Sequence, residues 1–246
     1  MSTEAAMAAE GAAIAENRGG WREFVRRTRA IVWKDLLIEL RTKQSFTAMA
    51  FFAALVLFIF SFAMGADVRL LQATGAGLVW IGIAFTGILS LSRTYQSEEL
   101  AGGLEGLRLL PGEQRAIYMG KLLSNLVLLL TLELFLFPTA GVLFQLELWR
   151  VALPLAGVAV LGTLGFSIVG TFYAALAVHV RARELMLPLL LFPALVPVLL
   201  GAVNATTLIL TGDPDGALSS WVRLLVAFDV IFFVVCTWIF PLVLEE

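Results

Sequence analysis

Two acidic residues, Glu133 and Asp229, lie within long apolar stretches of the sequence. Glu133 falls in the middle of the third such stretch. Asp229 falls about five residues inside the sixth, near its outer end, where water reaches a side chain more easily. Placing a charged group within a bilayer costs free energy, so we expect such an acid to be protonated, paired or turned toward a cavity. Two interpretations stay open for both: a functional intramembrane acid, or a structural hydrogen bond between helices.

The sequence lacks the residue patterns of an enzyme that works alone. The fragment nearest to a P-loop, Gly112 to Lys121, ends in Gly-Lys-Leu and lacks the Ser or Thr that would hold magnesium. The single histidine, His179, and the single cysteine, Cys236, cannot make a metal site by themselves. We therefore expect no catalytic residues and no metal, and we expect any ATP hydrolysis to occur in a partner chain.

A short acidic segment, Arg93–Pro111, separates the second and third apolar stretches. Its leucines recur at spacings of three and four, with glutamates between them, which predicts an amphipathic cytoplasmic helix. Its three glycines lower helix propensity, so the helix is expected to depend on packing, for example against a partner. A solvated loop is the alternative.

Composition places these residues in a membrane protein. The chain is 60% hydrophobic with a mean hydropathy of +0.92, whereas soluble domains are apolar in roughly half of their residues. Apolar stretches near the ~20 residues of a spanning helix, without barrel-type alternation, predict an all-α polytopic membrane protein with no nucleic acid partner. The fifth span carries three prolines and is expected to be kinked or broken. The six predicted spans are about 46–64, 73–92, 122–144, 152–178, 185–203 and 224–244.

The N-terminal region divides at residue 20. Residues 1–20 are rich in Ala, Glu and Gly and are predicted to be a disordered tail, which leaves residues 21–246 as a single membrane domain. Residues 21–40 combine recurrent apolar residues with basic ones, which favours an amphipathic helix in the lipid headgroup region over an ordinary basic flank. Its expected lipid contacts are Trp21, Phe24, Arg26 and Arg27.

The basic residues predict the orientation. Fourteen Lys and Arg residues lie in the N-terminal region and in the loops after spans two and four, against three on the other side. By the positive-inside rule both termini are cytoplasmic. Small residues in span four mark a face for close packing, within the bundle or between two permease copies. They are Gly157, Gly162, Gly165, Ser167, Gly170 and Thr171.

Four segments resemble the haem exporter protein B family of cytochrome c maturation (CcmB), which belongs to the ABC-2 class of transporter permeases. They are Lys34–Arg41, Gly77–Ile81, Leu91–Leu107 and Leu187–Pro197. Family members typically carry an acidic-Gly-Ser-Leu-Glu run, whereas this chain has Gly102-Gly103-Leu104-Glu105. The resemblance covers nearly everything except the N-terminal tail.

The resemblance implies a complex in the bacterial inner membrane. A dimeric ABC ATPase subunit would dock on the acidic segment through Glu98, Glu99, Leu104 and Glu105. Haem-handling membrane subunits and a periplasmic haem chaperone would complete the complex, with haem as the substrate handled. The alternatives are a generic ABC-2 exporter of a lipid, drug or polysaccharide, and a membrane scaffold that transports nothing.

Overall fold

Helices make up nearly all of the chain that the computed structural model describes, which comprises residues 3–65, 67–94, 114–177 and 183–245. A short 3-10 turn, Leu148–Val151, precedes the fifth α-helix, and these described residues contain no strand. The α-helices are α1 (Thr3–Thr42), α2 (Gln44–Met64), α3 (Val68–Thr94), α4 (Gln114–Leu143), α5 (Ala152–Ala177), α6 (Arg183–Thr211) and α7 (Leu218–Glu245).

Six of the described helices are long and apolar enough to cross a membrane. Large apolar side chains on their outer surfaces, such as Phe62, Leu134 and Val142, are exposed, as expected where lipid is the solvent. The predicted all-α polytopic fold with six spans is confirmed. The spanning ranges are Phe46–Met64, Val68–Thr94, Gln114–Leu143, Leu148–Ala177, Met186–Thr211 and Leu218–Val243.

The first helix is longer than predicted, because α1 begins at Thr3 and so includes most of the stretch assigned to a disordered tail. Alanine and glutamate, which dominate this stretch, are among the strongest helix formers. At the other end of α1, Glu39 accepts a hydrogen bond of 2.6 Å from the backbone amide of Phe46. This bond satisfies one of the unpaired amides at the start of α2. The division of the chain at residue 20 stays a prediction.

The fifth span was expected to be kinked or broken at its prolines, and it is one continuous helix, so the break is wrong and the kink stays a prediction. Helix α6 passes through Pro188, Pro193 and Pro197 and ends at Thr211, eight residues beyond the predicted end. Four of these eight residues, Asn204, Thr206, Thr207 and Thr211, are polar, which lowers the hydropathy of this end. Several of them, including Asn204 at 2.7 Å, donate to backbone carbonyls one turn earlier and so hide their polar groups within the helix.

The sixth span starts six residues earlier than predicted, at Leu218. The Asp213 carboxylate accepts hydrogen bonds from the backbone amides of Ala217 at 2.8 Å and Leu218 at 3.1 Å. An acid that accepts from the first amides of a helix stabilises its N-terminus. This cap allows α7 to begin in the partly polar stretch that precedes its own apolar run.

Helix α5 lies at the centre of the bundle and contacts α3, α4, α6 and α7. Its glycines permit close approach: a methyl group built on Gly162 would lie 2.3 Å from the Trp80 ring of α3, and one on Gly170 would lie 2.3 Å from Leu91. The small-residue face predicted for this span is therefore used within the bundle at these positions. The Trp80 ring is held in turn by a 3.0 Å bond from its Nε1 to Thr206 of α6.

Gly162→Ala tests this packing. Because the Trp80 ring is fixed by its bond to Thr206, the added methyl group cannot be accommodated by a small shift. We expect the substitution to lower the stability of the purified protein in detergent by about 1–3 kcal/mol. The midpoint of thermal unfolding, followed by tryptophan fluorescence, measures this. Gly157→Ala on the same helix is the control, since nothing lies within 4 Å of the added group; an equal loss in both variants contradicts the packing argument.

Candidate functional site

A buried lysine joins three helices at one end of the bundle. Lys121, seven residues after the start of α4, is 1% exposed. Its Nζ lies 2.9 Å from the Asp35 carboxylate of α1 and donates to the backbone carbonyl of Thr94, the last residue of α3, at 3.3 Å. The last carbonyls of a helix have no partner within that helix, so the Thr94 carbonyl is available to a side chain.

Close packing of α1 on α4 positions the Asp35 carboxylate. Gly120 lies against Ile31 of α1 so closely that a methyl group on the glycine would be 2.7 Å from the Ile31 Cβ. Ile31 and Asp35 are four residues apart and so lie on the same face of α1. The absence of a side chain at Gly120 therefore brings the carboxylate within reach of Lys121.

An asparagine one turn further along α4 extends these contacts to α5. Asn125, which is 4% exposed, accepts a 3.0 Å hydrogen bond from the Thr94 hydroxyl and donates at 3.2 Å to the hydroxyl of Thr171. One amide on α4 thus connects the end of α3 to Thr171, six residues before the end of α5. We call Asp35, Thr94, Lys121, Asn125 and Thr171 the polar cluster.

The polar cluster borders the acidic segment on both of its sides in the sequence. Thr94 ends α3 and Gln114 begins α4, and the predicted docking helix falls between them. Residues 95–113 lie outside the described part of the chain. The docking contacts predicted there, Glu98, Glu99, Leu104 and Glu105, therefore stay predictions.

The residues predicted to contact lipid all lie on α1. Trp21 is exposed and stacks on Phe24 with the ring centroids 5.6 Å apart. Arg26 and Arg27 both pair with Glu23, so part of their charge is balanced within the helix. The apolar residues of the amphipathic pattern in α1 do not all face away from the bundle, since Ile31 contacts α4. A helix that packs on α4 with one side and exposes Trp21 on another is compatible with the predicted interfacial position, which stays a prediction.

Glu133 is buried between α4 and α5. It is 3% exposed, and its Oε1 accepts a hydrogen bond from the Thr163 hydroxyl of α5. The second oxygen, Oε2, has no hydrogen-bond partner among the described residues. The structure thus gives this acid one hydrogen bond, from a neutral hydroxyl, and its role stays a prediction.

Asp229 is more deeply placed than predicted. It lies eleven residues after the start of α7, is 5% exposed, and has no hydrogen-bond partner for either oxygen among the described residues. The expectation that water reaches this side chain easily is wrong, because the carboxylate is buried against α5. Its Oδ1 would lie 2.5 Å from a methyl group on Gly165, so the glycine makes room for the carboxylate.

The structure does not bring the two acids to one site. Glu133 contacts α5 at Thr163, whereas Asp229 contacts it at Gly165. Positions two apart in a helix point in directions about 200° apart. Among the described residues no group of three or more His, Cys, Asp or Glu side chains is placed to hold a metal ion.

The polar cluster was missed by the sequence analysis. Lys121 contributed only to the count of basic residues, because the third span was predicted to begin at Leu122. Asn125 did not stand out, because the residues around it are strongly apolar. A partial signal was present: Lys121 and Asn125 are four residues apart and so share one face of α4.

Thr163→Val tests the pairing of Glu133. It removes the hydroxyl that donates to a buried acid, so we expect a loss of about 1–3 kcal/mol in stability in detergent. The double variant Glu133→Leu/Thr163→Val is expected to recover most of this loss, since both polar partners are then absent. Thr86→Val is the control, because that buried hydroxyl donates to carbonyls of its own helix. Equal thermal unfolding midpoints for Thr163→Val and the wild type contradict the pairing.

The CcmB protein family matches residues 26–246, all but the first part of α1. The chain is 29% identical over 175 residues to heme exporter protein B of Haemophilus influenzae, covering 70% of this chain and 77% of the relative. It is 30% identical over 177 residues to heme exporter protein B of Rhodobacter capsulatus (70% and 78%) and 32% identical over 183 residues to that of Paracoccus denitrificans (72% and 81%). The resemblance noted in the sequence is confirmed, and the chain belongs to the CcmB family.

Proposed function

We propose that this chain is the membrane permease subunit of a haem exporter that serves cytochrome c maturation. The observation that carries the proposal is the match to the CcmB family over residues 26–246, which includes all six spans. The relatives in three bacteria are named heme exporter protein B. A multi-pass permease in the bacterial inner membrane is the architecture that such a function needs.

The energy for this function comes from a separate, dimeric ATPase subunit. The sequence has no P-loop, and its acidic segment lies between the two helices that the polar cluster joins. The ATPase subunit docks on that segment, with Glu98, Glu99, Leu104 and Glu105 as its contacts. A second permease copy provides the second docking segment for the ATPase dimer.

The orientation follows from the charge asymmetry. Both termini and the polar cluster are on the cytoplasmic side, because α1 and the start of α4 carry the basic excess. There α1 lies in the headgroup region, with Trp21 and Phe24 as apolar anchors and Arg26 and Arg27 toward anionic lipid.

Haem is handled by the complex as its substrate. Haem-handling membrane subunits and a periplasmic haem chaperone are the further partners, and ATP hydrolysis drives delivery of haem or release of the loaded chaperone. Closure of the ATPase dimer moves the docking segment and shifts the spans between two arrangements by rigid-body motion.

Deletion of the gene tests the function. Strains without it are expected to lose every covalent c-type haem band in periplasmic and membrane fractions stained for haem, while b-type haem is intact and a plasmid copy restores the bands. Normal c-type bands overturn the haem proposal. A generic ABC-2 exporter is then the better account if the ATPase subunit still co-purifies, and a scaffold if it does not.

Glu105→Lys tests the docking contact. Reversal of this charge is expected to reduce the amount of ATPase subunit that co-purifies with tagged permease, because a like charge is placed against the surface that Glu105 faces. The amount of permease in the membrane is expected to be unchanged. Glu147→Lys, an equal charge reversal at an exposed position between α4 and α5, is the control. Normal co-purification with Glu105→Lys contradicts the docking assignment.

A further inference from the structure

We propose that Asn125 and Thr94 are positioning residues that transmit displacement at the ends of the acidic segment into the centre of the bundle, with Lys121 extending the same link to α1. This inference rests on the proposed function, since it concerns how docking of an ATPase subunit reaches the spans. Asn125 and Thr94 are not expected to contact the ATPase subunit or the substrate.

The contacts follow one another from helix to helix. Thr94 is the last residue of α3, and its hydroxyl and carbonyl are held by Asn125 and Lys121 of α4. Asn125 holds Thr171 of α5, and Lys121 holds Asp35 of α1. Two adjacent turns of α4 therefore connect the end of α3 to α1 on one side and to α5 on the other.

These hydrogen bonds, which join α3 to α5 through Asn125 of α4, depend on direction, whereas the direct contacts between α3 and α5 do not. Gly87 against Phe166 and Gly170 against Leu91 are apolar contacts, which depend on area and tolerate sliding. A hydrogen bond weakens steeply when its angle or length changes. The Thr94 hydroxyl also lies 3.1 Å from the Ser90 carbonyl of its own helix. A displacement of the end of α3 therefore either returns this hydroxyl to Ser90 and leaves the Asn125 oxygen without it, or carries Asn125 and Thr171 along.

Because Asn125 and Thr171 are buried, moving them together with α3 costs less free energy than breaking the bond. Asn125 and Thr171 are 4% and 0% exposed, whereas Thr94 is partly buried, so a broken Thr94–Asn125 bond leaves the Asn125 oxygen without water to replace its partner. Helix α5, which holds Thr171, contacts the other central helices of the bundle. The cluster thus converts a local movement of α3 and α4 into a movement of α5.

The test separates docking from transmission. Tagged permease carrying Asn125→Leu or Thr94→Val is expressed with the ATPase subunit in the deletion strain, and three quantities are measured: permease in the membrane, ATPase that co-purifies, and haem-stained c-type cytochrome. We expect the first two to stay at the wild-type level and the third to fall at least about five-fold, the lower range of coupling between sites. Ser124→Ala is the control, because that buried hydroxyl donates at 2.8 Å to Gly120 of its own helix.

A double variant tests whether the two residues act as one unit. Asn125→Leu/Thr94→Val is expected to lower the cytochrome yield no further than Asn125→Leu alone, because both single changes interrupt the same contact. Asn125→Asp is expected to retain most of the yield, since its oxygens can still accept from both threonine hydroxyls.

Each contrary result has a distinct meaning. A wild-type permease that retains no ATPase subunit overturns the proposed function, and the transmission inference with it. Retained ATPase with a normal cytochrome yield in Asn125→Leu and Thr94→Val overturns the transmission inference alone. Loss of both variants from the membrane assigns these residues a purely structural role and also overturns it.

Discussion

The bundle depends on how closely its other helices approach α5. Where Gly162 and Gly170 face α3, the side chains of Trp80 and Leu91 occupy the space that a methyl group would need. Without a hydrophobic driving force between helices in lipid, packing of this kind and hydrogen bonds between helices hold a bundle together. Small residues on α5 therefore determine which neighbours it can have and at what distance, and the polar contacts are made within that geometry.

The polar face of α5 depends on the same arrangement. Thr163, Ser167 and Thr171 are four residues apart and form one line along the helix, and all three are fully buried. Thr163 donates to Glu133 and Thr171 is bonded by Asn125, both on α4. Two bonds about two turns apart fix the register of α4 against α5, because a shift of either helix by one turn would separate both pairs.

The sequence was sufficient for the number of spans, which depends on average hydropathy, and insufficient for features that depend on contacts between helices. Six spans follow from apolar stretches that are each long enough to cross a bilayer. The ends of α6 and α7 were misplaced because polar residues there bond within their own helix or, like Asp213, cap it. The contacts between helices in the polar cluster could not be predicted, because Asp35 and Lys121 are far apart in the chain and meet only where Gly120 leaves space for Ile31.

The positions of the two intramembrane acids argue against a carrier that uses them as a pair. Glu133 lies ten residues before the end of α4 and Asp229 eleven after the start of α7, so at about 1.5 Å per residue both are near the middle of the membrane. They are nevertheless on different sides of α5, one bonded to Thr163 and the other against Gly165. Two acids separated by a packed helix cannot share one ion, so coupling to an ion gradient through this pair would need α5 to leave the position that its glycines fix.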